Sequence, residues 1–212
     1  MSLHVPLMRL LFATTNPHKA REIGQILGPL GIEVCSLADV APHIPEPVED
    51  ADTFEGNARI KAVAYAKALN MACLADDSGL EVDALGGAPG VHSAYYAGEG
   101  KTREERDPKN NAKLIAELTK LGNVDRSARF VCVLCLADTE GRVLFETRGT
   151  FSGVIIDEPR GENGFGYDPY FLIPEYHRTF GELSAAVKQR LSHRARAFTR
   201  FIPEMLRLLQ GN

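Results

Sequence analysis

Strand-like and helix-like segments alternate along the first third of the chain, and this alternation constrains the fold more than any other feature. Three short apolar runs typical of buried strands are "RLLFAT" (9–14), "IEVCSL" (32–37) and "MACLAD" (71–76). Apolar stripes with helical spacing lie between them and predict helices over 17–27 and 54–69, the second capped by Thr53. The stretch 38–52, rich in proline and acids, predicts a loop.

The rest of the chain adds strands of a different kind. "ARFVCVLCLAD" and "RVLFETRGTFSGVII" predict two long strands joined by the turn "TEGR", and "PKNNAKLIAELTKLG" predicts an amphipathic helix before them. Ser184 and Ser192 can each cap a further helix near the C-terminus. A β-α-β-α-β start followed by an antiparallel pair predicts an α/β fold with an elongated mixed β-sheet flanked by helices. We expect residues 1–212 to form a single domain.

Composition narrows the class of protein. A formal net charge of −4 argues against general binding to nucleic acid, which needs a basic face. No apolar run reaches the length of a membrane span. The four cysteines form no disulfide framework, which favours a reducing cytoplasm. Cys132 and Cys135 lie three positions apart in a strand and therefore on opposite faces, as core residues rather than as a metal site.

The segment "ATTNPHK" has the features of an anion site. A strand delivers Thr14, Thr15 and Asn16 to the start of a helix, where unpaired backbone N–H groups favour a negative charge. Pro17 suits the first helical turn, and His18 and Lys19 follow on that turn. Lys19 can then reach a phosphate as a point charge. The same pattern is also typical of an ordinary N-cap followed by a solvated lysine.

Acidic residues cluster in the 38–52 loop and again at Asp76 and Asp77, where we expect the third strand to end. Strand ends are where α/β folds present ligands. Magnesium prefers oxygen ligands, and one or two carboxylates usually complete a shell of phosphate and water. Asp77, followed by Ser78 and a glycine, is the candidate to hold such an ion and to accept a proton from water. The loop acids are also typical of plain solvated charges.

The segment "GENGFGYDP" predicts a glycine-rich loop that a flat ligand can approach. Gly166 allows close backbone approach, and Phe165 or Tyr167 can stack on a base. Asp168 precedes a proline, which predicts an extended backbone and a carboxylate that projects from the loop. The alternative is a structural loop whose aromatic residues belong to the core.

A basic cluster follows in "KQRLSHRARAF". His193 and Arg194 supply donors for the acceptor atoms on a purine edge, and Lys188 suits a phosphate. A basic, solvated helix face is the other interpretation of this segment.

Taken together, five motifs in series cover nearly the whole chain: "TTNPHK", "TFEGNARIKA", "LADDSGLEVDALGGAPGVHSAYYAG", "GFGYDPYF" and "LSHRARAF". Their order resembles that of the non-canonical purine nucleoside triphosphate pyrophosphatases, the XTP/dITP or inosine triphosphate pyrophosphatase family. The resemblance implies two α/β lobes with a central nucleotide-binding cleft, and a homodimer. It implies magnesium-dependent hydrolysis of ITP, dITP and XTP to a monophosphate and pyrophosphate, which removes deaminated purines from the nucleotide pool.

The resemblance also assigns roles to residues. It implies that residues 14–19 bind the triphosphate, that Asp77 accepts a proton and binds magnesium, and that Glu49 is a second magnesium ligand. It implies substrate contacts for Ser78 and for Lys61, the latter near the phosphates. The base and sugar pocket that it implies comprises Phe165, Gly166, Tyr167, Asp168, Lys188, His193 and Arg194.

Two departures from the family pattern stand out. Gly56 replaces a glutamate that the family commonly has, and Tyr95 replaces the arginine of its usual "SARYAG". Two other functions stay open, and these departures support only the second of them. One is a related pyrophosphatase for pyrimidine or modified nucleotides, and the other is a nucleotide-binding module without turnover.

Overall fold

The structure, a computed structural model, describes residues 8–14, 17–98 and 100–211. Within these ranges, eight strands form one sheet: β1 (Met8–Phe12), β2 (Ile32–Ser36), β3 (Cys73–Val82), β4 (Pro89–Gly90), β5 (Ser127–Ala137), β6 (Val143–Ile155), β7 (Phe171–Ile173) and β8 (Arg178–Thr179). The α-helices of the described residues are α1 (Pro17–Leu27), α2 (Leu37–Val40), α3 (Phe54–Leu69), α4 (Arg103–Leu121), α5 (Ala185–Leu191) and α6 (His193–Gln210).

The sheet is mixed, which confirms the predicted α/β class. Its strand order is β2-β1-β3-β5-β6-β7-β8, with β4 paired to β3 outside this path. Strand β1 runs parallel to both β2 and β3, whereas β7 is antiparallel to β6 and β8. The helices predicted over 17–27 and 54–69 are confirmed, and so is the long strand pair. Within the described residues, no helix is both long and apolar enough to cross a membrane.

Local chemistry explains why the helices begin where they do. Thr53 caps α3 as predicted, because its Oγ1 accepts a hydrogen bond from the N–H of Gly56 at 3.1 Å. Ser192 Oγ accepts from the N–H of Ala195 at 3.3 Å at the start of α6. The prediction of a loop from residue 38 was wrong at its start, because Ser36 and Asp39 form a reciprocal capping box that begins the short helix α2.

Strand β3 is longer than predicted. We expected it to end at Asp76 and Asp77, but it continues to Val82. Its first part pairs with β1 through Cys73 and Leu74, and its last part pairs with β4, where Leu80 lies opposite Gly90. The two aspartates therefore lie inside the strand, just beyond the point where the β1 ladder stops. Since neighbours in a strand alternate between faces, they do not share a face of the sheet.

The chain divides into two compact units. The first comprises residues 1–77, 133–147 and 198–212, and the second comprises residues 78–132 and 148–197. In the first unit the strands β1 and β3 are fully buried at Leu10, Leu11 and Leu74. In the second unit the core contains an aromatic cluster of Phe130, Phe171 and Phe180. That residues 1–212 act as one two-lobed domain stays a prediction.

Candidate active site

Two groups of predicted residues can be located, one in each unit. The first, here called the acid–lysine cluster, consists of Glu49, Lys61 and Asp77 in the first unit. Lys61 Nζ lies 2.8 Å from Oε2 of Glu49 and 3.2 Å from Oδ1 of Asp77. The side chains of Lys61 and Asp77 are only 15% and 13% exposed, whereas that of Glu49 is 35% exposed. The fold thus brings Lys61 and Asp77, which are 16 positions apart in the sequence, into contact.

The secondary structure explains this meeting. Lys61 lies on α3, whose buried face includes three alanines, Ala58, Ala62 and Ala66. Such a face lets the helix lie close to its neighbours. On β3, Asp77 shares a strand face with the fully buried Ala75 and contacts the α3 lysine. The cluster is therefore fixed by regular secondary structure on two of its three sides.

The third side, the loop that carries Glu49, is held against the start of α3. The N–H of Ala51 donates to Oδ1 of Asn57 at 3.0 Å, and Asn57 is buried. A Cβ atom on residue 56 would lie 2.4 Å from the Cβ of Ala51. Gly56 is therefore what allows this loop to pack closely, and the family's glutamate does not fit there unless the loop moves.

The electrostatics of the cluster favour a cation beside Asp77. Burial raises the pKa of Asp77 to about 6, although Lys61 opposes the rise; Glu49 and Asp76 add to it. For Lys61, burial lowers the pKa, but the neighbouring carboxylates outweigh burial and the net shift is upward. The ammonium is thus positively charged at neutral pH. With the neighbouring Asp76 included, three carboxylates and one ammonium leave a net charge of −2 when all are ionised.

One atom of the cluster has unused bonding capacity. Oδ2 of Asp77 is buried and accepts no hydrogen bond from any residue that the structure describes. A buried carboxylate oxygen without a partner is costly, and a divalent cation is one partner that would satisfy it. No group of three or more histidine, cysteine, aspartate or glutamate side chains among the described residues can hold a metal ion. For magnesium, however, one or two carboxylates completed by phosphate and water are sufficient, so Asp77 and Glu49 fit such an ion.

The predicted triphosphate segment lies only partly within the described residues. Thr15 and Asn16 lie outside the described residues, and so do the side chains of Pro17, His18 and Lys19. Helix α1 begins at Pro17, as predicted. Thr14 is buried, and its carbonyl oxygen accepts a hydrogen bond from the N–H of Leu37 at 3.0 Å. Ser78 follows Asp77 in β3 and is half-buried.

The second group, here called the base loop, comprises residues 161–170 of the second unit and the side chains that contact them. Phe165, in this loop, is 47% exposed. Nζ of Lys188 lies 4.6 Å from the centroid of its ring. Tyr167 is only 5% exposed, and its hydroxyl donates to the carbonyl of Ser93 at 2.9 Å. Of the two aromatic residues predicted to stack on a base, only Phe165 therefore offers an accessible face, because Tyr167 packs in the core.

Asp168 is placed differently from the prediction. It begins a turn of 3₁₀-helix instead of being extended, and its side chain is 3% exposed instead of projecting outward. Its carboxylate accepts the N–H of Phe165 at 2.8 Å and forms an ion pair with Lys188. These inward partners outweigh the backbone preference imposed by the following proline. Burial raises the pKa of Asp168, while Lys188 and Arg194 oppose the rise.

The glycines of this loop have a structural purpose. Gly164 and Gly166 have φ values of +84° and +61°, which side chains rarely adopt. A Cβ on Gly164 would also lie 2.1 Å from Oδ2 of Asp168. The N–H of Gly166 donates to Asp107 at 2.7 Å, and its carbonyl accepts from Nδ2 of Asn111 at 3.0 Å. The loop is therefore ordered by helix α4.

Sequence reasoning missed this support from α4. Asn111 falls on the same helical stripe as the fully buried Leu114 and Leu118. A polar residue on the apolar stripe of an amphipathic helix was the available signal, because such a residue needs a buried hydrogen-bond partner. A cavity of about 370 Å³ lies beside the loop, lined among others by Asp107, Asn111 and Phe165. A larger cavity of about 450 Å³, lined among others by Tyr176 and Val187, contains none of the predicted residues.

The remaining predicted residues lie at the start of α6. His193 is 8% exposed, and its ring stacks on Phe130 with centroids 5.0 Å apart. Arg194 is half-buried and close enough to Asp168 to oppose the rise in the pKa of that carboxyl. The second unit therefore brings together Phe165, Asp168, Lys188 and Arg194, which lie in two of the sequence segments, "GENGFGYDP" and "KQRLSHRARAF".

Comparison with known proteins shows the family to which the chain belongs. The Ham1 family model matches residues 10–204. A dITP/XTP pyrophosphatase from Exiguobacterium sp. is 48% identical over 204 residues, covering 96% of this chain and 100% of that protein. A dITP/XTP pyrophosphatase from Rhodopirellula baltica is 48% identical over 203 residues, covering 96% and 95%. A HAM1 protein structure from Coxiella burnetii superposes with a TM-score of 0.86 at 36% identity, covering 94% of this chain and 98% of that one. Matches of this extent confirm the resemblance found in the sequence, and this chain belongs to the Ham1 family.

Proposed function

We propose that this chain hydrolyses ITP, dITP and XTP to the nucleoside monophosphate and pyrophosphate. Relatives named dITP/XTP pyrophosphatase match it over nearly its full length. The observation that carries the proposal is the state of Asp77: a buried carboxylate, paired on one oxygen with Lys61 and without a hydrogen-bond partner on the other among the described residues. Such a group is suited to a cation and to proton transfer, and it has no evident purpose in a purely structural strand.

The reaction is a displacement at the α-phosphorus. A water molecule attacks that atom, the bond from the α-phosphorus to the bridging oxygen breaks, and pyrophosphate leaves. The proton of the water passes to the carboxylate of Asp77, which is mostly ionised at pH 7 because its pKa is about 6. Lys61 orients this carboxylate and places a positive charge near the phosphates.

We assign magnesium to Asp77 and Glu49. The chemistry that a bound magnesium ion supplies is neutralisation of phosphate charge during the displacement. Lys61 would hold both carboxylates in place, since its ammonium contacts each of them. The segment 14–19 would bind phosphate oxygens at the N-terminus of α1, with Ser78 as a further substrate contact.

Base recognition belongs to the second unit. We propose that the purine stacks on the exposed ring of Phe165, with Lys188, His193 and Arg194 near its edge. Inosine and xanthine carry a 6-oxo acceptor that these donors can meet, whereas the 6-amino group of adenine would place a donor against donors. Gly166, Tyr167 and Asp168 then act by shaping the loop and by holding Lys188 in place.

A substrate panel tests the proposal. ITP, dITP, XTP, ATP, dTTP and UTP are each incubated with the protein at catalytic concentration, with magnesium or with excess chelator, and pyrophosphate is measured separately from phosphate. We expect pyrophosphate from ITP, dITP and XTP, little from ATP, and none in chelator. Turnover confined to dTTP or UTP would instead indicate a pyrimidine pyrophosphatase, and ITP binding without turnover would indicate a binding module. We further expect a homodimer that acts in the cytoplasm, which the mass in solution and the cell fraction test.

A further inference from the structure

Two cations contact the same exposed aromatic ring. The guanidinium carbon of Arg103 lies 4.3 Å from the ring centroid of Phe165, and Nζ of Lys188 lies 4.6 Å from it. Both distances are within the range of cation–π attraction. Lys188 belongs to the predicted pocket, but Arg103, the first residue of α4, belongs to none of the motifs.

The two cations differ in how firmly they are held. Lys188 is ion-paired with the buried carboxylate of Asp168. Arg103 is exposed, and its guanidinium makes no hydrogen bond or ion pair with any residue in the described part of the chain. Only Arg103 can therefore leave the ring without breaking an ion pair, and the five N–H donors of its guanidinium are available to a ligand.

We propose that Arg103 binds the substrate base: the purine inserts between the ring of Phe165 and the guanidinium of Arg103, which moves onto the outer face of the base. A guanidinium is planar and stacks on flat π systems, so a purine can replace the benzene ring as its partner. The face of Phe165 that is released then stacks on the other side of the base. This inference rests on the proposed function, and it adds a binding residue that the sequence motifs do not contain.

The chain offers a matched control on the same helix. The guanidinium carbon of Arg106 also lies 4.3 Å from an aromatic centroid, that of the exposed Tyr95. Tyr95 is not part of the proposed base site. Replacing Arg106 therefore removes the same charge and the same kind of contact three residues away, together with a hydrogen bond from its guanidinium to the carbonyl oxygen of Lys101 at 3.2 Å, without removing a base contact.

The experiment compares wild type, Arg103→Ala, Arg103→Lys and Arg106→Ala. We measure kcat and KM for ITP, and by calorimetry the Kd of inosine monophosphate and of tripolyphosphate, which has no base. Arg103→Ala should raise the KM for ITP and the Kd for inosine monophosphate by about 3- to 10-fold. It should leave kcat and the Kd for tripolyphosphate within about twofold of wild type. Arg103→Lys should resemble Arg103→Ala because an ammonium has no planar face, and Arg106→Ala should resemble wild type.

Several results would overturn the inference. Equal weakening of inosine monophosphate and tripolyphosphate would mean that Arg103 only attracts anions, and equal effects of Arg103→Ala and Arg106→Ala would mean the same. Wild-type behaviour of Arg103→Ala would exclude any role. In a Phe165→Leu background Arg103→Ala should have little further effect, so additive effects would also contradict the stacked arrangement. A wild-type protein that binds inosine monophosphate but releases no pyrophosphate from ITP would defeat the proposed function alone, since the binding comparison still tests Arg103.

Discussion

The ammonium of Lys61 lies 3.2 Å from Oδ1 of Asp77, while Oδ2 of the same carboxylate is buried and accepts no hydrogen bond from the described residues. Only one of the two carboxylate oxygens of Asp77 therefore has a partner. A side chain selected for stability alone would have both oxygens paired, because an unpartnered buried acceptor costs free energy. We therefore expect Asp77 to act through Oδ2, and the first predictions concern this side chain.

Replacing Asp77 with Asn should abolish pyrophosphate release from ITP. The substitution keeps the shape of the side chain but removes the charge that would hold a cation and accept a proton. We expect a loss of at least about 1000-fold in kcat, with the circular dichroism spectrum and the Kd for ITP in chelator little changed. Turnover close to that of wild type would remove Asp77 from the mechanism.

The same substitution should stabilise the metal-free protein. The pKa of Asp77 is raised from 3.8 to about 6 in the folded state, so the folded protein binds this proton more tightly than the unfolded chain does. The contribution of Asp77 to stability therefore falls as the pH rises from 3.8 to 6 and stays low above that range. Since one pKa unit corresponds to about 1.4 kcal/mol, Asp77→Asn should gain up to about 3 kcal/mol at pH 7.

Urea unfolding in the presence of chelator measures this gain. The difference between wild type and Asp77→Asn should be largest at pH 7 and should vanish as the pH is lowered towards 3.8. A variant that is less stable than wild type at pH 7 would mean that the Lys61 contact outweighs the cost of burying the charge. The expected combination, higher stability with lost activity, is typical of functional residues.

Glu49 should govern the requirement for metal. Glu49→Gln removes one of the two proposed carboxylate ligands, so the magnesium concentration for half-maximal activity should rise about tenfold or more. Asp50→Asn is the control, because Asp50 is an exposed neighbour on the same loop and the change removes the same charge. If both variants require the same amount of magnesium, general loop charge matters and Glu49 is not a ligand.

A good part of this fold can be derived from the sequence. The stripe of α3, its Thr53 cap and the long strand pair depend on local spacing and capping, which the chain displays directly. The continuation of β3 through Asp77 and Ser78 cannot be derived in this way, because it depends on pairing with other strands, β5 in the sheet order and β4 at Leu80. Local preferences oppose a strand there, and tertiary pairing overrides them.

The site shows the same limit. The sequence pattern pointed to Asp77, and the family resemblance added Lys61 and Glu49, but spacing alone does not predict that one ammonium contacts both carboxylates. Nor does the sequence show which of Phe165 and Tyr167 is exposed, since the two residues are chemically similar and only two positions apart. Packing of the second unit decides it by burying Tyr167.

The ion pair between Lys188 and Asp168 should be essential to the base loop. Lys188→Met leaves a carboxylate that is 3% exposed without its ammonium partner, which should cost about 3 kcal/mol of unfolding free energy at pH 7. The double variant Asp168→Asn, Lys188→Met removes the buried charge as well and should recover part of that loss. Urea unfolding of the two variants decides the matter. Equal stability of single and double variants would show that the remaining partners of Asp168 compensate its charge.

Gly149 should be intolerant of any side chain. A Cβ at this buried position of β6 would lie 2.2 Å from the carbonyl oxygen of His193 and 2.3 Å from the backbone nitrogen of Ala197. Backbone atoms cannot turn aside as a flexible side chain does, so Gly149→Ala must push the start of α6 away from the strand. We expect a loss of about 1–3 kcal/mol in unfolding free energy. We also expect a higher KM for ITP, since His193 and Arg194 would move with the helix.

Ser152→Ala, an exposed change on the same strand, is the control and should alter neither the unfolding free energy nor the KM. Wild-type stability and KM in Gly149→Ala would show that α6 can shift freely and that its position does not set base binding.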